Sequence, residues 1–419
     1  MSRLTESGGE TPPVERESLV GRQLELSIGP VAHGGHCVAR HEGRVVFVRH
    51  ALPGERVRAV VTEGHAAARF LRADAVETLV AGSDRVAAPC PYAGAGRCGG
   101  CDWQHVTLAG QRRLKAAVVA EQLARLAGLK LPVTVEPVAT AAAAGADGLG
   151  WRTRVRFAVD DAGRAGLRRH RSHEIVPIDR CLIAHDGVER LGVEGRRWPP
   201  GATVEAVASA TTGESLVIVD GRAQGGVSPA IRERAAGREW RVTGSAFWQV
   251  HPGAADALVD AVLAGLAPAG GDTALDLYSG VGLFAGVLAA RVGPKGCVVA
   301  VEHDRQAVAD ARRNLARLPW ARVEPGRVDR VLARLQLDRC DIAALDPPRS
   351  GAGRAVTDRL ASLAPRAIGY VACDPAALAR DVAYFAERGY RLASLRAFDL
   401  FPMTHHVECV AILQPGRVS

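Results

Sequence analysis

Residues 273–304 read TALDLYSGVGLFAGVLAARVGPKGCVVAVEHD, and this stretch decides the fold. TALDLYSG (273–280) is a strand and turn, GLFAGVLAARV (282–292) a helix, and CVVAVEHD (297–304) a second strand. The alternation runs on. RQAVADARRNLARL (305–318) reads as a helix and CDIAALDPPR (340–349) as a strand. AIGYVACD (367–374) is another strand, PAALARDVAYFAERG (375–389) a helix, and residues 390–414 a closing pair of strands. From about residue 241 onward this β-α repetition predicts an α/β fold, a mostly parallel sheet with helices on both faces. Such sheets bind ligands at the carboxyl ends of their strands, so chemistry is sought there.

Asp276 ends the first strand, and Gly280 and Gly282 allow a tight turn into the next helix. A lone Gly-x-Gly is weak evidence of a cofactor. Glu302 strengthens it, because a carboxylate at the end of the second strand can accept from both hydroxyls of a ribose. Two glycines make a loop too short for the full dinucleotide fingerprint. S-adenosylmethionine (SAM) fits better: its ribose needs the acid, and it has no pyrophosphate to cradle. A dinucleotide and a merely structural turn are the competing readings.

The segment VACDPAALARD (371–381) ends a strand on Cys373. Asp374 can cap the next helix and Pro375 suits its first turn. The sulfur then lies near the positive end of a helix dipole, which favours the thiolate, whereas Asp374 opposes it. The competing reading is a small buried hydrophobe, the expectation for Cys37, Cys297, Cys340 and Cys409. A strand-end thiolate beside a SAM site suggests pyrimidine chemistry. Carbon 5 of uracil is a poor nucleophile. Addition of a thiolate to carbon 6 makes carbon 5 enolate-like and able to attack a methyl donor; a base then removes the carbon 5 proton and the thiol is eliminated. Asp346, in LDPPRSG, can accept from a ring N–H. DLFPMTHHVEC (399–409) offers Glu408 as the base, with His405 and His406 as competitors. Gln249, in FWQVHPGAADAL, is an uncharged donor and acceptor beside the cleft.

Upstream, residues 14–80 alternate short β-branched runs with Gly and Pro turns, predicting a barrel of about five strands. GGHCVARHEGRVVFV (34–48) and ALPGERV (51–57) resemble the motifs of the TRAM domain, a small OB-like RNA-binding barrel. Residues 85–240 form a central α+β domain. Its loop carries Cys90, Cys98 and Cys101, and its helix spans 106–127 and can pack on the catalytic domain. An Ala/Gly connector (138–150) and a hairpin over 151–178 follow. In that hairpin Arg152, Arg154 and Arg156 share one strand face by the period of two, a row suited to phosphates or to solvent. Cys181 lies far downstream. The C-x7-C-x2-C spacing with one distant partner can hold zinc or an iron–sulfur cluster, and three clustered cysteines plus one remote favour the cluster. Its expected role is structural, fastening the loop to the hairpin.

Taken together, DLYSGVGLF, LDPPRSG, VACDPAALARD and DLFPMTHHVE resemble the RNA uracil-C5-methyltransferase family of the TrmA/RumA type, over the chain from about residue 14. The resemblance implies a Rossmann-like class I methyltransferase domain over 241–419, with Cys373 as nucleophile and Glu408 as base. It places SAM contacts on Gln249, Tyr278, Glu302 and Asp346. It implies a [4Fe–4S] cluster on Cys90, Cys98, Cys101 and Cys181, although the first gap is slightly longer here. Two departures stand out: Leu283 where many members have Asn, which removes a polar cofactor contact, and Tyr-Ser-Gly where Phe-Cys-Gly is common.

The charge of +8, carried almost wholly by arginine, suits a polyanion but equally a genomic bias towards Arg. With 419 residues and 47% hydrophobic content the chain can build several cores, and no apolar run or secretory leader points to a membrane. The expectation is a cytoplasmic enzyme, monomeric by default, methylating uridine in RNA, with 23S ribosomal RNA favoured and transfer RNA open. Two rivals remain. An amino-group methyltransferase would use the Asp-Pro-Pro motif and need no Cys373. An RNA-binding protein that has lost catalysis would fit the barrel and Leu283.

Overall fold

The computed structural model describes residues 17–139, 147–226 and 228–416. The polar N-terminal stretch through residue 16 and residues 140–146 of the Ala/Gly connector lie outside the described residues. The chain forms two compact units, one of residues 17–30 and 36–83, the other of 31–35 and 84–416.

The first unit is a five-stranded sheet of β1 (Gln23–Ser27), β2 (Cys37–His41), β3 (Arg44–Arg49), β4 (Arg56–Glu63) and β5 (Phe70–Val80), in the order β1-β4-β5-β3-β2. Alternate residues face its core: Leu24, Leu26, Val46, Val48, Val57, Ala59, Val61, Leu71 and Ala73 are all buried. The ALPGERV turn is held by Glu55. Its carboxylate accepts from Leu52 N at 2.8 Å and from Gly82 N at 3.0 Å. The expected small barrel with about five strands is what forms.

The second unit opens on α1 (Leu108–Ala127), two residues shorter than expected because Thr107 caps it, accepting from Gly110 N at 3.1 Å. This helix packs on the catalytic portion against a later helix, Pro375–Glu387. After β6 (Val135–Pro137) come β7 (Arg154–Val159), β8 (Ala165–Arg168), β9 (Ile175–Pro177), a short α2 (Asp186–Glu189), β10 (Thr203–Ala208), β11 (Ser215–Val219) and β12 (Arg222–Ala223). Strands β7 to β12 form a sheet in the order β12-β11-β10-β7-β8-β9. A separate hairpin, β13 (Ala230–Ala235) and β14 (Arg238–Thr243), leads onward, so the expected boundary at 240/241 falls inside a strand.

The α/β portion follows as α3 (Ala254–Leu266), β15 (Thr273–Leu277), α4 (Leu283–Val292), β16 (Cys297–Glu302), α5 (Arg305–Asn314), β17 (Ala321–Pro325), α6 (Val328–Arg334), β18 (Ile342–Leu345), α7 (Arg354–Ser362), β19 (Ala367–Ala372), α8 (Pro375–Glu387), β20 (Tyr390–Asp399) and β21 (Glu408–Pro415). Its eight strands lie in the order β17-β16-β15-β18-β19-β21-β20-β6. Strands β15 to β19 are parallel, and β21 runs antiparallel to both β19 and β20. One apolar cluster covers one face through α3 and α4, and a second covers the other through α7 and α8. The strand order reverses at β15, which opens the crevice between β15 and β18.

The arginine row is corrected. Trp151, Thr153, Val155 and Phe157 are buried as the period of two requires. Arg154, however, turns inward, donating to the carbonyls of Gly244 at 3.1 Å and Ala246 at 2.7 Å. Only Arg156 remains widely exposed, paired with Glu205 at 3.3 Å. The row is neither a solvated face nor a free grip for phosphates, because the β13–β14 hairpin and the segment after it cover its middle member.

Candidate active site

Strand register gathers the predicted residues along one edge of the sheet. Leu277 of β15 lies beside Val301 of β16 and Leu345 of β18, so Tyr278, Glu302 and Asp346 emerge together one step later. Asp346 N donates to Leu277 O at 3.2 Å across the crevice. Ala372 of β19 pairs with Cys409 of β21, and the next antiparallel step sets Cys373 opposite Glu408. A thiol and a carboxyl some 35 residues apart in sequence thus become cross-strand neighbours.

Asp374 does cap α8, its Oδ1 accepting from Ala377 N at 2.8 Å, with Pro375 in the first turn. The net effect on Cys373, left open by the sequence, is upward: burial pushes the thiol to about 11, Glu408, Asp346 and Asp374 add to this, and Arg349 opposes it. Glu408, 3% exposed, is lifted well above the carboxylate range by burial and by Asp346, against Arg349. Burial likewise lifts Asp346 to about 7. Both groups are therefore held against ionisation, with Arg349 as the cation working towards it.

Cys373 opens into a cavity of about 170 Å³ whose lining includes His33, Trp103, Arg349, Asp374, His405 and His406. Its histidines differ in character. His405 Nδ1 meets Asp102 Oδ2 at 2.6 Å. His406 Nε2 lies 3.3 Å from Arg349, and burial drops this imidazole to about 3, too weakly basic to compete with a carboxylate. The loop carrying both is pinned from α1 and from the cysteine loop. Lys115 Nζ donates to Asp399 Oδ1 at 2.6 Å and to Phe401 O at 3.0 Å. Gln111 Oε1 accepts from Met403 N at 2.7 Å, and Met403 O accepts from Asp102 N and Trp103 N. His33, Arg349, Asp102 and Lys115 were not singled out from the sequence. The Arg of LDPPRSG was the one legible signal, since it follows the strand-end Asp by three residues.

The cofactor turn follows the expected geometry. Gly280 and Gly282 have φ of 53° and 92°, and Tyr278 itself is left-handed at 64°. Asp276 is fully buried; Oδ2 accepts from Ala285 N at 2.7 Å, while Oδ1 and the neighbouring Ser279 Oγ are buried without a partner among the described residues. Burial lifts Asp276 to about 8. Glu302 is more occupied than expected, taking N–H bonds from Gly280 at 2.9 Å, His303 at 2.7 Å and Asp304 at 2.8 Å. A carboxylate has about four acceptor sites; His303 Nδ1 also approaches Oε1 at 3.2 Å, whereas Oε2 carries the Gly280 bond and keeps one site for a ligand. Leu283 begins α4 and is 8% exposed. Gln249 is buried between β14 and α3, in a segment tied to the central sheet by Thr153, whose N and Oγ1 both donate to Val250 O at 2.9 Å. Phe247, two residues earlier, is 66% exposed, an apolar surface residue that was not marked from the sequence.

The four cysteines come together. Cys90, Cys98, Cys101 and Cys181 line one small cavity, joined by Arg152, which the sequence had set among the phosphate-gripping candidates. Gly99 N donates to Arg168 O at 3.0 Å and Tyr92 Oη to Asp179 Oδ1 at 2.8 Å, fastening the loop to β8 and to the segment before Cys181. Gly100 N and Gln104 Nε2 donate to Cys98 Sγ and Cys101 Sγ, each at 3.4 Å. Burial raises Cys98 and Cys101, and takes Cys181 to about 11, while Arg152 pulls Cys98 and Cys181 back down. Among the described residues, no group of three or more His, Cys, Asp or Glu side chains closes tightly enough to grip a single metal ion. Of the other cysteines, Cys37, Cys340 and Cys409 are buried as expected and Cys297 partly so.

Comparison with known proteins agrees with this architecture. Residues 17–76 match the TRAM domain, and residues 234–415 match the tRNA (Uracil-5-)-methyltransferase family. An uncharacterized RNA methyltransferase of Streptomyces coelicolor is 56% identical over 97% of this chain and 95% of its own length. One from Streptomyces avermitilis is 54% identical over 95% and 99%, and one from Bifidobacterium longum 37% over 93% and 96%. Among solved structures, the Pyrococcus abyssi tRNA (uracil-54, C5)-methyltransferase in complex with S-adenosyl-L-homocysteine shares the fold, with a TM-score of 0.67 over 92% of this chain and 99% of that one at 24% identity. Among the described residues no helix is long and apolar enough to cross a membrane. The chain belongs to the family of SAM-dependent RNA (uracil-5-)methyltransferases, in which a TRAM domain precedes the methyltransferase domain.

Proposed function

We propose that this protein methylates carbon 5 of a uridine in RNA through a covalent adduct on Cys373. The observation that carries the reading is the cross-strand meeting of Cys373 and Glu408 beside Asp346 and Arg349, at the mouth of a cavity fit for one extruded base. Cys373, once deprotonated, bonds through Sγ to carbon 6 of the uracil, and the displaced π electrons pass to carbon 5 and the neighbouring carbonyl oxygen. Arg349 is the permanent cation that favours both the thiolate and the charge developing on the ring. SAM, when bound, supplies the electrophilic methyl group that carbon 5 takes up. Glu408, in its ionised form, then removes the carbon 5 proton, and the electrons of that C–H bond expel Cys373 from carbon 6.

The cofactor turn fits SAM on its own terms: left-handed Tyr278, Gly280 and Gly282, the open acceptor site of Glu302, and Asp276 Oδ1 and Ser279 Oγ, unpartnered among the described residues. We assign Gln249 and Asp346 to the same ligand and the facing base. The four thiols share one cavity, and three clustered cysteines with one remote partner favour a [4Fe–4S] cluster over zinc. Arg152 would offset the charge of their thiolates, and the cluster would stiffen the loop that carries Asp102. For the substrate we favour 23S ribosomal RNA, since the pairing of barrel and four-cysteine loop resembles the ribosomal enzymes. Transfer RNA is the second reading, supported by the named substrate of the Pyrococcus protein.

The test uses anaerobically purified protein, SAM and cellular RNA containing 5-fluorouridine. Fluorine at carbon 5 cannot leave as a proton does, so the adduct stalls. A covalent complex that disappears in Cys373→Ala supports the mechanism, and sequencing the captured RNA identifies the uridine. Methylation of an exocyclic nitrogen would overturn it.

A further inference from the structure

The cavity beside Cys373 is walled partly by residues that sit, in sequence, inside the barrel. The strap 31–35 belongs to the catalytic unit, and His33, Gly34 and Gly35 line the cavity. Its seat is specific. Gly35 O accepts from Trp103 Nε1 at 3.0 Å. Gly35 adopts φ +82°, and a Cβ there would lie 2.6 Å from the Cβ of His405, so only glycine allows this approach. His33 Nε2 lies 3.0 Å from Asp374 Oδ2. Asp374 thus uses one oxygen to cap α8 and the other to hold the strap, directly beside the nucleophile.

We propose that His33 is a substrate-binding residue of the Cys373 cavity, presenting a charged imidazole, fixed on Asp374, to the acceptor edge of a pyrimidine nucleotide in RNA. The inference rests on the uridine reading above and adds a residue and a wall to it. With Nε2 engaged by Asp374, the protonated ring keeps Nδ1–H as a donor, and uracil offers carbonyl oxygens. The hydrogen bond to Asp374 raises the pKa of His33 against the burial that lowers it, Glu121 also raises it and Arg125 lowers it; Arg349, Cys373, His405 and His406 share the cavity. A structural role alone would be small, since the His33 side chain is 40% exposed and exposed ion pairs contribute little stability. His33 also offsets the Asp374 carboxylate, which otherwise opposes the thiolate.

The experiment compares wild-type protein with His33→Ala, His33→Gln and Gly35→Ala, using labelled SAM and cellular RNA and reading KM, kcat, SAM affinity, melting temperature and the methylated position. A charge-assisted hydrogen bond predicts a loss of about tenfold or more in kcat/KM for His33→Ala and His33→Gln, chiefly through KM for RNA. SAM affinity and melting temperature stay at wild-type values. Gly35→Ala, which displaces the strap without touching His33, gives the same loss. Methylation at carbon 5 with kcat/KM of His33→Ala within twofold of wild type overturns this proposal and leaves the uridine reading standing. Label on an exocyclic nitrogen overturns both.

Discussion

Lys115 is the sharpest test of how the active-site loop is held. Its ammonium is wholly buried, 2.6 Å from a 3%-exposed Asp399 and 3.0 Å from the carbonyl of Phe401. Burial lowers the lysine's pKa, and Asp399 is the main group restoring its charge. Lys115→Met leaves the Asp399 carboxylate buried and uncompensated, which costs about 3–5 kcal/mol. For a unit of this size that is a fall in melting temperature of roughly 4–7 °C. Pairing it with Asp399→Leu removes both charges. The double variant should recover most of the loss, keeping about 1 kcal/mol for the donor that Phe401 no longer has. Urea unfolding and thermal scans of the four proteins give the coupling energy directly. If Lys115→Met melts within 2 °C or so of wild type, or the double variant is no better than the single, the ion pair does not anchor the loop.

Four further outcomes follow from the site. Glu408→Gln should methylate carbon 5 but fail to release it, so a covalent complex with ordinary uridine RNA accumulates on a denaturing gel; its absence would remove Glu408 as the base. Both Cys373 and Glu408 are raised and must ionise to act, so kcat/KM should climb with pH from 6 to 9, and a profile falling across that range would contradict the assignment. Asp276, raised to about 8, contributes stability that is complete below the unfolded carboxylate pKa and lost as pH passes through about 8; wild type should therefore weaken as pH rises from about 4 to about 8 and level off above it, while Asp276→Asn stays flat, as urea midpoints across pH would show. Iron and sulfide assays on anaerobic protein should find both in equal amounts, absent from Cys181→Ser, and zinc in their place would overturn the cluster.

Local chemistry made much of this protein legible. The period of two in the barrel, the β-α repetition after residue 241, and the Asp-Pro opening of α8 are written in neighbouring residues, and each formed as expected. Weak or short elements escaped notice: α6 and α7 are brief, and β17 is a five-residue edge strand with little apolar character. The arginine row misled because alternation says which side of a strand a residue takes, not what covers that side. Arg154 was claimed by carbonyls some 90 residues away, and Arg152 by the cysteine cavity.

The sequence alone determined the strand ends, and with them the identities of Cys373, Glu408, Asp346 and the glycine turn, because strand-turn-helix signals are local. Tertiary structure decided what those groups are at rest. Burial and the neighbouring carboxyls push the Cys373 thiol up to about 11 and lift Glu408 well above the carboxylate range, since the cost of burying a charge depends on every element packed around it. It also decided that a histidine from the strap 31–35 is held on Asp374, next to Cys373, a meeting across 341 residues that no local pattern encodes.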